Sequence, residues 1–167
     1  MAKDIIIREA RDSDAEGVLR LLEQIAALHH EGRPDIFKAN SKKYTKEEFE
    51  DILKDEKRPV FVAVDAENIV LGYAFCMVME QKEQGPFHAY PLLYIDDICV
   101  DRELRGQNIG RELFDAVKIY AQENSIGNIE LNVWEFNEGA IHFYEKCGFT
   151  AQRRRMELIL PKAEEEQ

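Results

Sequence analysis

The chain has 167 residues, 45% of them hydrophobic, which suits one domain whose core needs no disulfide or metal staple. Its 33 acidic residues outweigh 22 basic ones, and a formal charge of −11 argues against binding nucleic acid, whose partners present a net basic face. No stretch approaches the roughly 18 apolar residues of a membrane span, and MAKDIIIREA is too briefly apolar for a secretion signal.

In chain order, Lys3 to Arg8 reads as a first strand. Ser13 and Glu16 form a capping-box pair ahead of Val18, Leu21, Leu22, Ile25 and Leu28 at helical spacing. Gly32 and Pro34 end that helix and open a loop, HHEGRPDIFKANSKKY, which reads as a solvated, capping loop, with His30 or Arg33 meeting an acceptor's carboxylate or phosphate as the alternative. Thr45 and Glu48 form a second capping box, before a short helix with Phe49, Ile52 and Leu53 on one face. VFVAV and IVLGYAFCMVME read as a hairpin turning at Glu67-Asn68, and LLYIDDICV as a strand with two acids in its middle. A helix with Ile109, Leu113, Val117 and Tyr120 on its apolar face follows, then the strand IELNVW. Asn137 is positioned to cap a last helix, EGAIHFYEKC, which Gly148 ends, and FTAQRRRMELIL reads as terminal strand. Trp134 and Phe136 read as core or interface aromatics, and Arg153 to Arg155 as a solvated face with a dimer contact as the alternative. The alternation predicts an α/β sheet with helices on both faces, one domain over 1–160 and an acidic tail over 161–167.

Cys76, Cys99 and Cys147 are odd in number, sit among apolar residues and form no CxxC pair. They read as reduced thiols of a cytoplasmic protein. His88 and His142 have no partners at ligand spacing, so no metal is expected.

The segment Arg105-Gly106-Gln107-Asn108-Ile109-Gly110 joins a strand to a helix. A helix N-terminus presents unpaired N–H groups and the positive end of the helix dipole, and small residues ahead of it let the backbone close around an anion. The P-loop and the dinucleotide fingerprint are both absent, so the segment is a phosphate-binding turn or an ordinary turn using glycine for positive φ. Locally it is a basic exception to the acidic chain: no acid lies between Arg105 and Gly110.

This segment resembles the acetyl-CoA motif of the GNAT superfamily of N-acetyltransferases, [RQ]-x-x-G-x-[GA]. Arg105 and Gly110 match its ends, and Asn108 stands where glycine is usual. Asn137 to Phe149 resembles the family's N-x-x-A-x-x-[FL]-Y-x-[KR]-x-G-F signature. The resemblance implies a mixed, mostly antiparallel central sheet flanked by helices, acetyl-CoA as co-substrate, and transfer to an amine acceptor without an acyl-enzyme. It implies that Ile98, Cys99 and Val100 offer backbone groups to the pantetheine arm, with an oxyanion donor at the Ile98 N–H. It further implies that Arg105, Gly106, Gln107, Asn108, Ile109, Gly110 and Arg111 face the pyrophosphate, and that Asn137 and Lys146 approach the cofactor.

Amide formation needs a proton acceptor and a donor for the leaving thiolate. Asp96 and Asp97 are candidates for the first, with Asp96 favoured by similarity to spermidine/spermine-type relatives; pairing with a neighbouring arginine is the alternative. Neighbours on a strand point to opposite faces, so only one of the two is expected in the cleft. Tyr144 holds the family's general-acid position, with a core aromatic as the alternative. The expected acceptor is a small cationic amine. A protein N-terminus or lysine is the alternative, and a non-catalytic acyl-CoA-binding regulatory domain is the reading of another class. A homodimer is expected from resemblance alone.

Overall fold

The computed structural model describes residues 4–163. Lys3 of the expected first strand and the last four residues of the expected tail lie outside the described residues. Strand β1 (Ile6–Glu9) is followed by a single 3₁₀ turn (Asp12–Asp14) and helix α1 (Ala15–Gly32). Helix α2 (Lys46–Lys54), strands β2 (Val60–Val64), β3 (Val70–Gln81) and β4 (Tyr90–Val100), a second 3₁₀ turn (Arg102–Leu104), helix α3 (Ile109–Glu123), strand β5 (Asn128–Leu131) and helix α4 (Glu138–Lys146) complete the order.

The sheet runs β1-β2-β3-β4-β5, with every neighbouring pair antiparallel except β4 and β5, which are parallel. Its two faces follow from the period of two along each strand. Val60, Val62, Val64, Tyr73 and Phe75 point to one face and pack with Val18, Leu21 and Leu22 of α1 and Phe49 and Ile52 of α2. Phe61, Ala63, Leu71, Ala74 and Cys76 point to the other and pack with Ile109, Leu113, Phe114 and Val117 of α3, beside Phe143 of α4. Helices therefore cover both faces, as the alternation predicts.

The second capping box forms as read: Thr45 Oγ1 accepts from the Glu48 amide and the Glu48 carboxylate accepts from the Thr45 amide. The first does not. Ser13 falls inside the 3₁₀ turn, and Asp14, just before α1, makes no side-chain cap on the helix; its carboxylate instead closes the turn, accepting from the Arg11 amide (2.8 Å) and from both terminal nitrogens of Arg8. A buried carboxylate gains more from a guanidinium than a serine hydroxyl gains from one amide. Strand β5 ends at Leu131, three residues short of the expected IELNVW. The expected terminal strand is absent from the described residues: 150–163 carry no regular structure and lie exposed. Its sequence favours strand, and it finds no strand neighbour among the described residues. None of the described helices is long and apolar enough to cross a membrane.

Candidate active site

Two irregularities in β4 build the site. First, Phe75 of β3 pairs with Asp97 while Cys76 pairs with Ile95, so Asp96 is an extra residue, a β-bulge. Second, β4 pairs with β5 only from Leu92 to Ile95, and beyond that point the two parallel strands part.

The bulge overturns the expectation that Asp96 and Asp97 face opposite ways. Asp97 Oδ2 accepts from the Tyr73 hydroxyl at 2.6 Å, and Tyr73 belongs to the core beneath α1 and α2. Asp96 Oδ2 accepts from the Tyr44 hydroxyl at 2.7 Å and lies 2.9 Å from Lys43 Nζ, and Tyr44 packs against the same core. An extra residue breaks the alternation, so both carboxylates turn to the α1–α2 side.

The parting of the strands frees backbone groups. The Asp101 amide donates to Leu71 of β3 at 2.8 Å, while the Cys76 and Val78 amides turn the other way, to Pro59 and Lys57. Alternation along β4 then aims the polar backbone groups of Asp97, Cys99 and Asp101 at β3, and those of Ile98 and Val100 at the open side where β5 has diverged. Of the three residues expected to offer backbone to a ligand, Ile98 and Val100 face the opening. Cys99 does not: its carbonyl lies against Gly72 of β3, and its thiol points toward Leu21 of α1.

Burial pushes the Asp97 carboxyl up to about 6, helped by Asp96 and opposed by the Tyr73 hydrogen bond and the Lys43 charge. Burial also raises the Tyr144 phenol, with the Asp97 charge next in weight, so this phenol keeps its proton well past neutrality. Tyr44 is raised by burial and by its bond to Asp96. Burial pushes the Cys76 and Cys99 thiols up to about 12, which removes both as nucleophiles. The described cysteines are free, Cys76 and Cys99 buried and Cys147 partly so.

The turn into α3 lies at the same end of the sheet. Gly106 (φ +82°) and Asn108 (φ +67°) are both left-handed, so Asn108 keeps the backbone shape that glycine usually supplies. A Cβ at Gly106 would meet nothing within 4 Å, and Asn108 makes no side-chain cap on α3, so the first-turn amides have no capping side chain. Arg105, Gly106, Gln107 and Asn108 are exposed. Arg111 donates to the Lys146 carbonyl (3.3 Å), tying α3 to α4, and Lys146 is exposed at the end of α4. Asn137 caps α4 through Oδ1, which accepts from the Ala140 amide at 3.2 Å.

The loop over the opposite wall is held by aromatic contacts that spacing did not reveal. Phe37 stacks on His29 (centroids 4.8 Å) and meets Trp134 edge-on (5.1 Å); Trp134 stacks on Phe136. A Cβ on Gly32 would sit 2.2 Å from the Phe136 ring, so glycine there permits the contact. Trp134 and Phe136 thus clamp the α1–α2 loop rather than fill the core. His30 Nδ1 bonds the Phe37 carbonyl (2.8 Å), and Arg33 is paired with Asp35 (2.8 Å) and Glu157. Arg33 is thus engaged by two carboxylates, and His30 by one ring nitrogen. Tyr44, Tyr73, Lys43 and Arg58, whose Nη2 donates to the Tyr44 hydroxyl at 3.2 Å, join the site unannounced by any motif.

Residues 22–149 match the model of the acetyltransferase (GNAT) family. A streptothricin acetyltransferase of Streptomyces lavendulae is 32% identical over 58% of this chain, and a thialysine N-epsilon-acetyltransferase of Sus scrofa is 24% identical over 86% of this chain and 83% of its own. The chain spans 47% of the former's length and 27% of that of a mycothiol acetyltransferase of Propionibacterium freudenreichii. A mutant of the BH1408 protein of Bacillus halodurans superposes with a TM-score of 0.90 at 35% identity, over 93% of this chain and 99% of that one. An aminoglycoside N-acetyltransferase solved with CoA shares the fold, with a TM-score of 0.68 at 16% identity over 94% of this chain and 100% of its own.

Proposed function

The chain belongs to the acetyltransferase (GNAT) family, and from that membership we propose that it moves an acetyl group from acetyl-CoA to a small primary amine by direct attack. The observation that carries the reading is the carboxylate Asp97, raised to about 6, at the fork where β4 leaves β5 and the Ile98 and Val100 backbone faces the opening, with a proton-holding Tyr144 nearby.

An alkyl amine with a pKa near 10.4 is about 99.9% protonated at pH 7, and removing that proton costs roughly 4.6 kcal/mol. A carboxylate raised to about 6 is mostly ionised at neutral pH yet more basic than an ordinary aspartate, which suits it to take that proton directly or through water. The reading therefore moves the proton acceptor from Asp96 to Asp97. Asp96, held by Tyr44 and Lys43, helps seat the ammonium group before transfer.

The amine lone pair then attacks the thioester carbonyl. The Ile98 N–H, facing the fork, is the donor for the developing oxyanion. As the C–S bond breaks, the leaving thiolate takes the Tyr144 proton. The amides from Gly106 to Arg111 suit the pyrophosphate because they open a positive helix end that has no side-chain cap, behind the exposed turn Gly106 to Asn108. The Ile98 and Val100 backbone suits the pantetheine arm, and the Asn137 Nδ2 and Lys146 remain for the rest of the cofactor.

The acceptor class rests on the two adjacent carboxylates, the chain's charge of −11, and relatives named for streptothricin and thialysine. Three free thiols suit a reducing compartment, the cytoplasm. We also infer that the chain works as a homodimer, because an apolar terminal segment otherwise lies bare. Free-thiol release from acetyl-CoA, measured over a panel of small amines and a panel of peptides, tests the activity. Release that depends on a small amine supports it. Release only with peptides moves the acceptor to a protein, and binding of CoA without turnover on any acceptor leaves a regulatory domain.

A further inference from the structure

Two neighbouring lysines in the loop between α1 and α2 are used differently. Lys42 pairs with Glu23 of α1 at 2.9 Å on the open surface, with both side chains at least half exposed. Such pairs contribute little. Lys43 turns inward and sets its Nζ 2.9 Å from Asp96 Oδ2, a carboxylate whose side chain is only 13% exposed. Its charge opposes the rise that burial gives the Asp97 carboxyl, and it adds to burial in lowering His29. The ammonium therefore stands between the end of α1 and the bulge.

Asp96 does not need Lys43 to be held in place. The Tyr44 hydroxyl donates to the same carboxylate oxygen at 2.7 Å and accepts from Arg58 Nη2 at 3.2 Å, and the Tyr44 ring packs on Phe75 (centroids 5.3 Å). Lys43 is the loose partner. Its side chain is 42% exposed, it lies outside any helix or strand, and its four-carbon stem can carry the ammonium into water. An acceptor amine arrives as an alkylammonium, the group that lysine itself carries. In the free chain, the seat proposed above for the acceptor is thus filled by the same chemical group.

We propose that Lys43 is a place-holder for the acceptor's ammonium: the acceptor displaces it from Asp96, and it returns to expel the product once the amine has become an amide. This rests on the reading of Asp96 as the ammonium's seat. The exchange balances charge, one ammonium leaving the carboxylate as another arrives, so Asp96 is never left without a cation beside Asp97. After transfer the acceptor's nitrogen carries no charge, and an amide holds a carboxylate less well than an ammonium does. Lys43 then regains the seat without a rival of its own kind. The chain tethers it there at a high effective concentration. That competition weakens acceptor binding and hastens product release alike.

The test titrates butylammonium and its acetylated form, N-butylacetamide, into the full chain without acetyl-CoA, with binding followed by NMR at the backbone amides of Asp96 to Ile98. Lys43→Met, which keeps the stem and loses the charge, should bind both probes roughly fivefold more tightly than the parent. Lys43→Arg keeps the charge and should bind both as the parent does. Lys42→Met removes the same charge from the surface pair and should change neither affinity. Circular dichroism of all three should match the parent, since both lysines lie on an exposed loop. Unchanged affinities in Lys43→Met, or an equal gain in Lys42→Met, overturn the place-holder. A gain for the ammonium alone overturns the return step. Asp96→Asn separates the place-holder from the seat. If that variant binds butylammonium as tightly as the parent, the seat fails and the place-holder with it. If it loses the probe while Lys43→Met gains nothing, the seat stands and the place-holder alone falls. None of these readouts depends on turnover, so the acetyl-transfer reading stands or falls separately.

Discussion

Asp14, Asp101 and Asp97 lie in two regions of this molecule that treat the same side chain in opposite ways. Asp14, at the start of α1, and Asp101, just after β4, each face an arginine. Burial pushes both carboxyls up, but the bonds from Arg8 and the Arg11 amide, and from Arg20, the Glu103 amide and Gln24, outweigh it and hold both below their ordinary value. Asp97, at the bulge, is met by the Tyr73 phenol, and burial wins. A guanidinium makes a buried carboxylate a permanent charge that fixes structure; a phenol leaves it able to exchange a proton near neutral pH. Partner, not residue type, separates the structural acids from the chemical one.

The largest expected effect strikes at that difference. Asp97→Asn should lower kcat/KM for the amine by about 10²–10³, the range of a lost general base, in steady-state thiol release. The same change should leave the fold more stable by about 1 kcal/mol at pH 7 in urea titrations, because a charge held against burial is gone. The sign follows from a folded pKa above the unfolded value of about 3.9. The folded state binds more protons between pH 4 and 6, so this aspartate's contribution declines as pH rises, and the variant's advantage should vanish near pH 4.

Tyr144→Phe should lower kcat tenfold or more while KM for acetyl-CoA stays near its original value, since the phenol is assigned to the leaving group rather than to binding. Asp14→Ala belongs to the other region. It should cost about 2 kcal/mol in urea unfolding, from a carboxylate partnered by Arg8 and the Arg11 amide, with kcat unchanged. Asp14 is stabilising above its unfolded pKa, and that contribution fades as pH falls through its lowered folded value. The smallest effect is expected from Tyr73→Phe. Its hydrogen bond opposes the rise of Asp97, so removing it should shift the acid limb of the kcat/KM profile upward by less than about one unit.

Local signals carried far along this chain. Thr45 with Glu48 marked the start of α2, Asn137 marked the cap of α4, and Ile109, Leu113 and Val117 marked the buried face of α3. Each is decided by residues three or four apart. The bulge at Asp96 was hidden because it is a property of two strands in register, Phe75 against Asp97 and Cys76 against Ile95, which the sequence of β4 alone does not carry. The Tyr44–Asp96 and Tyr73–Asp97 bonds join residues 52 and 24 positions apart, beyond the reach of any spacing rule. The terminal segment failed for a different reason: FTAQRRRMELIL has the composition of a strand, but a strand needs a neighbour, and among the described residues it has none.

The central claim is that Asp97 takes the acceptor's proton, and the pH dependence of kcat/KM for one good amine tests it most directly. With the parent enzyme the account predicts a rise through a pKa near 6 to a plateau, because the protonated amine binds and Asp97 deprotonates it. In Asp97→Asn the limb near 6 should disappear, replaced by a low rate that climbs tenfold per pH unit toward the amine's own pKa. A variant that keeps the parent's limb and plateau height would contradict the account.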